Sequence, residues 1–320
     1  MQQFYKRTYY HWRELMNTAK YIWMNGEFKA WEDAQTHVLS HTLHYGNGVI
    51  EGTKAYKTEK GYAIFRLNEH TKRLKESAKM NLFEIPYSVE EMNQAQIELI
   101  QKNEFSGDNV YIRPFAFLGY GVMGVYHKEA PVETVLAAWE WGAYLGEEGL
   151  KKGIKLKIAS MTRPGNTSNM GKAKAVGNYL NSQMAKYEAI DCGYDEALLL
   201  DDQGYVAEAS GASFFMVRDG KLITPPSDNA LESITQKTVI EMAQNMGITV
   251  ERRRITREEI YIADEAFLTG TAAEITPVRI VDARQIGCGA RGEMTEKLQS
   301  GYFDIVFGRN KEYEHYLTYV

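Results

Sequence analysis

The spacing of hydrophobic and polar positions changes several times along the chain, and each change marks an element. Tyr21-Ile22-Trp23-Met24 and Phe28 flank Asn25-Gly26, which predicts two short strands joined by a hairpin turn. Residues 31–39 lead into a polar, histidine-rich segment, and residues 48–56 and 61–65 read as a second hairpin. Residues 68–80 take up helical spacing, with Leu74 and Ala78 on one face and Asn68 as the candidate cap. Residues 89–103 repeat that spacing through Met92, Ala95, Leu99 and Ile100. Residues 110–119, crossing Pro114, and 134–138 read as strands. Trp141-Gly142-Ala143-Tyr144-Leu145-Gly146 breaks the pattern as a linker.

The second half repeats the alternation. Residues 154–160 predict a strand, 162–171 a loop of Pro, Gly, Asn, Thr and Ser, and 174–189 a helix. Strands follow at 196–201, 213–218, 221–223, 249–255 and 265–269, and helices at 235–246 and 300–308. Strands occupy the middle of each half and helices the outside, with no internal repeat.

At 320 residues the chain exceeds the size at which one core grows efficiently, so two domains are expected. The divisions are an extension at 1–20, a small α/β domain at 21–140, a linker at 141–149 and a larger domain at 150–320. A net charge of −5 argues against a nucleic-acid binder driven by phosphate neutralisation. Arg252-Arg253-Arg254 sits in an alternating stretch and reads as exposed strand positions. Two cysteines, Cys192 and Cys288, support no disulfide framework and suit a reducing cytoplasm. No apolar run reaches membrane-spanning length, and the charged first 20 residues do not read as a signal peptide.

Two motifs point elsewhere. Gly119-Tyr120-Gly121-Val122-Met123-Gly124 has the G-x-G-x-x-G spacing, but a dinucleotide site needs a helix after it. Here Lys128, Glu129, Ala130 and Pro131 follow with no helical period, so a close-approach loop is expected. His37, His41 and His44 would share a helix face and compete as a zinc site. Ser40, Thr42, Tyr45 and Gly46 argue instead for turn or strand, and no metal is expected.

The candidate chemistry centres on Ala173-Lys174-Ala175-Val176-Gly177-Asn178-Tyr179-Leu180, a lysine among small residues. A lysine that condenses with a carbonyl cofactor needs room for a flat ring and a lowered pKa, from burial or nearby positive charge. Pyridoxal phosphate (PLP) also needs an anion site and an acid near its ring nitrogen. Arg66, at a strand end, offers a phosphate grip. Ser233-Ile234-Thr235 precedes a helix, where free N–H groups bind anions. Gly270-Thr271-Ala272-Ala273 offers a second such turn. Glu208 follows a strand and precedes Ala209, Ser210, Gly211 and Ala212.

With these residues in view, the sequence resembles the branched-chain amino acid aminotransferases of PLP fold type IV. The segments that carry the resemblance are 41–46, 111–114, 121–125, 141–146, 174–180 and 270–278, in that order between about residues 21 and 308. The resemblance implies an α+β protein of two α/β domains, the larger a pseudo-barrel of strands with outer helices. It implies Lys174 as the Schiff-base lysine and proton carrier, with Lys172 as a decoy. Tyr179 would meet the cofactor's phenolic oxygen and Glu208 its pyridine nitrogen. Arg66, Ser233, Ile234, Thr235 and Thr271 would bind the phosphate. Tyr111, Ala272 and Ala273 would hold the substrate α-carboxylate, and Arg113 the side-chain carboxylate of glutamate. Ile50, Trp141 and Tyr144 would wall the pocket. Tyr45 and Val125 would come from, or lie near, a partner subunit, which implies a homodimer or larger assembly. Residues 162–171 would form a mobile loop that closes over substrate.

The implied activity is transfer of amino groups between branched-chain L-amino acids and 2-oxoglutarate. D-amino acid transamination, aminodeoxychorismate cleavage and a specialised transaminase are the alternatives within the fold. Ile50 stands where an aromatic residue is common in the family, and a change of that size moves side-chain preference by about 1–3 kcal/mol per methylene. Glu232-Ser233 replaces the usual Pro-Gly, and Ser213 replaces a common asparagine.

Overall fold

The computed structural model describes residues 18–320, so the expected N-terminal extension lies almost wholly outside the described residues. Alternation of apolar and polar side chains makes seven strands in the first half. They are β1 (Tyr21–Met24), β2 (Glu27–Ala30), β3 (Val49–Ile50), β4 (Thr53–Thr58), β5 (Gly61–Phe65), β6 (Asn109–Leu118) and β7 (Val132–Glu140). The second half contributes β8 (Ile154–Ile158), β9 (Glu196–Leu200), β10 (Val206–Ala209), β11 (Ser213–Arg218) and β12 (Lys221–Thr224). It continues with β13 (Val250–Arg252), β14 (Glu265–Gly270), β15 (Glu274–Val281), β16 (Arg284–Gln285) and β17 (Leu317–Tyr319).

Among the described residues these strands form two sheets. The first runs β17-β5-β4-β6-β7-β1-β2, with β3 laid on β6. The second runs β10-β9-β8-β15-β14-β11-β12-β13, with β16 on β15. It curls until its ends meet: Tyr205 bridges Thr256, and the Val206 N–H donates to the Ile255 carbonyl at 2.9 Å. An apolar core of Leu156, Leu198, Phe214, Leu268 and Val278 fills that curl. Helices Tyr179–Asp191, Ile234–Asn245 and Glu293–Val306 belong to this half, whereas Leu67–Met80 and Val89–Asn103 belong to the first.

Several local expectations change. The helix at 67–80 starts one residue before Asn68, and its cap position is Arg66 in the left-handed region at φ 52°. Ser88 and Glu91 form a reciprocal capping box on the next helix. His41–Tyr45 is a short helix rather than a turn or strand, with His41 buried and bonded to the Gly124 carbonyl at 2.7 Å. Among the described residues no group of three His, Cys, Asp or Glu side chains is placed to hold a metal ion. The run expected as a helix from Lys174 becomes helical only at Val176, first as a single 3-10 turn and then as Tyr179–Asp191. Glu208 lies within β10 rather than after a strand, and the last long helix begins at Glu293, well before residue 300.

The two halves share a core. Tyr56 and Phe65 from the first sheet pack with Phe215, Phe267, Ile275 and Tyr302 from the second half. The stretch 141–149 falls between the two sheets, yet β17 returns from the chain's end to pair with β5, with Leu317 opposite Phe65. A buried ion pair crosses the junction: Lys54 Nζ donates to Glu274 Oε1 at 2.7 Å, and the Tyr56 hydroxyl donates to the same oxygen at 3.0 Å. Lys54→Met leaves that carboxylate buried without its counter-charge, and the expected loss is about 3–5 kcal/mol in urea denaturation. The double variant Lys54→Met/Glu274→Leu recovers much of it.

Candidate active site

Lys174 is held by its backbone before its side chain does anything. Its N–H donates to Ser77 Oγ at 3.0 Å, from the helix Leu67–Met80. Its carbonyl accepts from the Ile50 N–H at 3.0 Å, and the next residues continue the pairing: Val176 N–H to Gly48 and Gly177 N–H to Gly46, both 2.8 Å. The approach at Gly177 leaves no room for a side chain, since a Cβ there would sit 2.9 Å from the Gly46 oxygen. Two of these bonds take groups that a helix begun at Lys174 would need, the Gly177 N–H and the Lys174 carbonyl, which is why the helix starts late. The lysine therefore projects from an extended segment clamped between the two halves, into a cavity of about 550 Å³.

Inside it, Lys174 Nζ lies 5.6 Å from the centre of the Tyr179 ring. The expected lowering of its pKa is reversed. Burial and Arg73 push the amine down, but Tyr179 and Glu51 push it up, and the net shift is upward. Glu208 lines the same cavity and faces Arg163, whose Nε is 2.9 Å from Glu208 Oε1. Burial raises the Glu208 carboxyl, opposed by Arg163, by Lys174 and by the Leu231 N–H.

Opposite lies an anion-binding wall. Ser233 caps the helix Ile234–Asn245 by accepting from the Gln236 N–H at 3.1 Å. The first N–H groups of that 12-residue helix have no partner within it and carry the positive end of its dipole. Ser233 and Ile234 line the cavity, as do Thr271 and Ala272 from the turn after β14. Thr235 and Ala273 are buried just behind them.

The arginine on this wall is Arg73, not Arg66. Arg66 lies outside the cavity with its guanidinium committed: Nε to Glu69 Oε1 at 2.8 Å, Nη1 to Thr238 Oγ1 at 2.9 Å, and a stack 4.2 Å over Tyr316. Arg73 lines the cavity and is forked on Glu51, Nε to Oε1 at 2.6 Å and Nη2 to Oε2 at 2.9 Å, with Nη1 reaching the Glu232 carbonyl. His70 Nδ1 meets Glu51 Oε2 at 2.8 Å. Burial would raise the fully buried Glu51 carboxyl, but Arg73 and His70 hold it well below the usual carboxylate range. His70, Arg73 and Ser77 stand at helical spacing on one face, but Arg66 falls four residues before His70 on the same spacing, so the pattern by itself does not select Arg73.

The remaining wall is aromatic. Tyr111 packs edge-on against Trp141 at 4.9 Å, and Trp141 against Tyr144 at 5.5 Å. Ile50 and Phe115 complete it. Arg113 Nη2 donates to the Tyr111 hydroxyl at 3.1 Å, while its buried Nε has no partner. Gly52 is demanded by Tyr111, whose hydroxyl would lie 2.0 Å from a Cβ there. Tyr45 and Val125 are exposed and lie off this cavity, next to each other, with the Gly124 N–H donating to the Tyr45 hydroxyl. The glycine loop at 119–124 is followed by no helix before β7.

Residues 48–281 match the family described as amino-transferase class IV. A branched-chain-amino-acid aminotransferase of Pseudomonas aeruginosa is 49% identical over 299 residues, covering 93% of this chain and 97% of that protein. The branched-chain amino acid aminotransferase of T.th., solved with pyridoxamine 5'-phosphate, superposes with a TM-score of 0.91 at 49% identity, covering 95% of this chain and 99% of that one. The Escherichia coli branched-chain amino acid aminotransferase superposes with a TM-score of 0.91 at 42% identity, covering 94% and 99%.

Proposed function

Because the chain belongs to the class IV aminotransferases, we propose that it exchanges amino groups between branched-chain L-amino acids and 2-oxoglutarate, using PLP held in the cavity around Lys174. The cavity suits that cofactor by its own chemistry. It has one reachable amine, a carboxylate for a ring nitrogen, an anion wall of helix N–H groups and a guanidinium, and a volume of about 550 Å³. Bound there, PLP supplies an aldehyde that takes up the amino group and a ring that draws electrons from the substrate's Cα–H bond.

Each residue has a defined task in this reading. Lys174 forms the covalent attachment and then carries the proton to and from the substrate Cα. Its clamped backbone limits the movement of Nζ to the side chain's own rotations. Tyr179 steadies the amine and holds the phenolic oxygen. Glu208 keeps the ring nitrogen protonated. Arg73 takes the phosphate role first given to Arg66, together with Ser233, Ile234, Thr235 and Thr271. Tyr111 and the N–H groups at Ala272 and Ala273 orient the α-carboxylate. Arg113, with a buried Nε–H lacking an acceptor, meets the second carboxylate of glutamate. Ile50, Phe115, Trp141 and Tyr144 exclude water and receive an aliphatic side chain. One cavity thus accepts both substrates in turn.

A second copy completes the site. Tyr45 and Val125 are exposed, as are Val38, Leu43, Tyr120, Met123 and Tyr126 of the same two segments, which meet where His41 and Tyr45 bond to Gly124. An apolar surface of that kind marks an interface, and we place it against the partner's cavity in a homodimer. Both cysteines are free and exposed, which fits a reducing cytoplasm. No described helix is long and apolar enough to cross a membrane.

The observation that carries the reading is Lys174 and Glu208 facing one cavity beside a helix N-terminus. The test is an absorbance spectrum of the purified protein with PLP, followed by amino acids. L-Leucine, L-isoleucine and L-valine should bleach the yellow band, and D-alanine should be at least about tenfold slower. Preference for the D-amino acid, or pyruvate release from aminodeoxychorismate, would overturn it.

A further inference from the structure

Arg163 is unusual among the arginines described. It stands in the loop between β8 and Lys174, its N–H donating to the Leu200 carbonyl at 2.7 Å. Its side chain is 7% exposed, and its one ionic partner is Glu208, itself 13% exposed. The pair is close but not hydrogen-bonded through Nε, which has no acceptor along its N–H direction. The contact therefore sets a charge against the carboxylate rather than a hydrogen bond through Nε.

That distinction matters for what Glu208 must do. A carboxylate facing a pyridine nitrogen has to remain charged and keep an oxygen free to accept from the ring N–H. Burial works against the charge. The groups that favour it are Arg163, Lys174 and the Leu231 N–H. Lys174 cannot be the steady counter-charge, because its amine is consumed in the cofactor bond and gains and loses a proton during turnover. A backbone N–H carries only a partial charge. Arg163 is permanently cationic and is not consumed.

We propose that Arg163 is a positioning residue that acts through Glu208, holding this carboxylate charged and aimed so that the ring nitrogen of bound PLP keeps its proton. The proposal rests on the PLP reading above and extends it to a residue of the cavity wall whose ionic partner is Glu208. It separates two roles. Glu208 contacts the ring, and Arg163 sets the state of Glu208. Loss of Arg163 should therefore mimic a Glu208→Gln change at the ring, not a loss of cofactor.

The test loads the wild type and variants with PLP carrying ¹⁵N at the ring nitrogen and reads that nitrogen by NMR, alongside PLP titration and thermal melting. The wild type and Arg163→Lys should show a protonated ring. Arg163→Met should shift the signal toward the unprotonated form, as Glu208→Gln does, with PLP still bound and kcat reduced about 10- to 100-fold. Arg163→Gln, also uncharged but able to hydrogen-bond, gives the same reading if the Met variant does not fold. An Arg163→Met protein with bound PLP and an unchanged ring signal overturns this inference alone. A wild type that takes up no PLP overturns it together with the reading it rests on.

Discussion

Lys174→Ala eliminates transamination, by about 10³-fold or more, while Lys172→Ala retains most of the wild-type rate. The size follows from removing nucleophile and proton carrier in one step, where a proton carrier by itself contributes about 10²–10⁴. The contrast follows from geometry. Lys172 is exposed and its Nζ is bonded to Glu232 Oε1 at 3.1 Å, at the rim. Lys174, two residues on, is fixed by Ser77 and Ile50 and points inward. A steady-state assay with L-leucine and 2-oxoglutarate, and mass analysis after borohydride reduction, read the two effects separately. The adduct should map to Lys174 in the wild type and in Lys172→Ala. Equal loss in both variants would show that the site tolerates neither change and that the wrong amine was chosen. The pH dependence follows in sign. Because the Lys174 amine is shifted upward, most of it is ammonium near neutrality, and only the neutral form attacks an aldehyde. Uptake of PLP by the cofactor-free protein should therefore accelerate as pH rises, by about tenfold per unit at most.

The sequence exposed this lysine because its neighbours are chemically constrained. Ala173, Ala175 and Gly177 are small where β3 and Gly46 press against the backbone. Glu208 and the turn at 271–273 were visible as suitable chemistry at abrupt changes of pattern, whereas the roles of Tyr179 and Arg113 came only from the resemblance to the family. The aromatic wall was not visible in the pattern, where 141–146 reads as a linker, and Trp141 and Tyr144 entered only through the resemblance. What escaped was whatever depended on a partner far away in the chain. Arg66 caps one helix and Arg73 lies two turns on in its middle, and local pattern cannot tell which of them faces a cavity. Glu51, 22 residues before Arg73, decides it by holding that guanidinium in place. Arg163 was hidden in a polar loop, because its partners, the Leu200 carbonyl on β9 and Glu208 on β10, come from much later in the chain. Lys174 was assigned to a helix because the run that follows it does have helical spacing. The hydrogen bonds that delay that helix come from residues 46–50, on the other side of the cavity. Strand β17 gave little signal in three residues, and its pairing with β5 is entirely nonlocal.

The two arginines can be separated by experiment, and the expected difference is large. Arg73→Leu should weaken PLP binding about 10- to 100-fold, as a hydrogen-bonded contact to a charged group contributes about 1.5–3 kcal/mol. Pyridoxal, which lacks the phosphate, should bind the variant and the wild type alike, so the ratio of the two affinities isolates the phosphate contact. Arg73→Leu also leaves Glu51 buried with only His70 and the Gly52 N–H beside it, so its melting temperature should fall as well. Arg73→Lys answers that complication. It keeps a cation near Glu51 but lacks the planar fork, and one ammonium cannot hold the carboxylate at both oxygens while also meeting a phosphate. Its PLP affinity should fall about tenfold with most of the stability retained. Arg66→Leu should do the reverse. It removes the bonds to Glu69 and Thr238 and the stack on Tyr316, and so loosens the junction between the helix Ile234–Asn245 and the turn that leads into β17. Melting temperature should drop while the PLP-to-pyridoxal affinity ratio stays at its wild-type value. If that ratio collapses in Arg66→Leu and holds in Arg73→Lys, the phosphate is gripped from the strand end, and the anion wall drawn from this cavity is wrong.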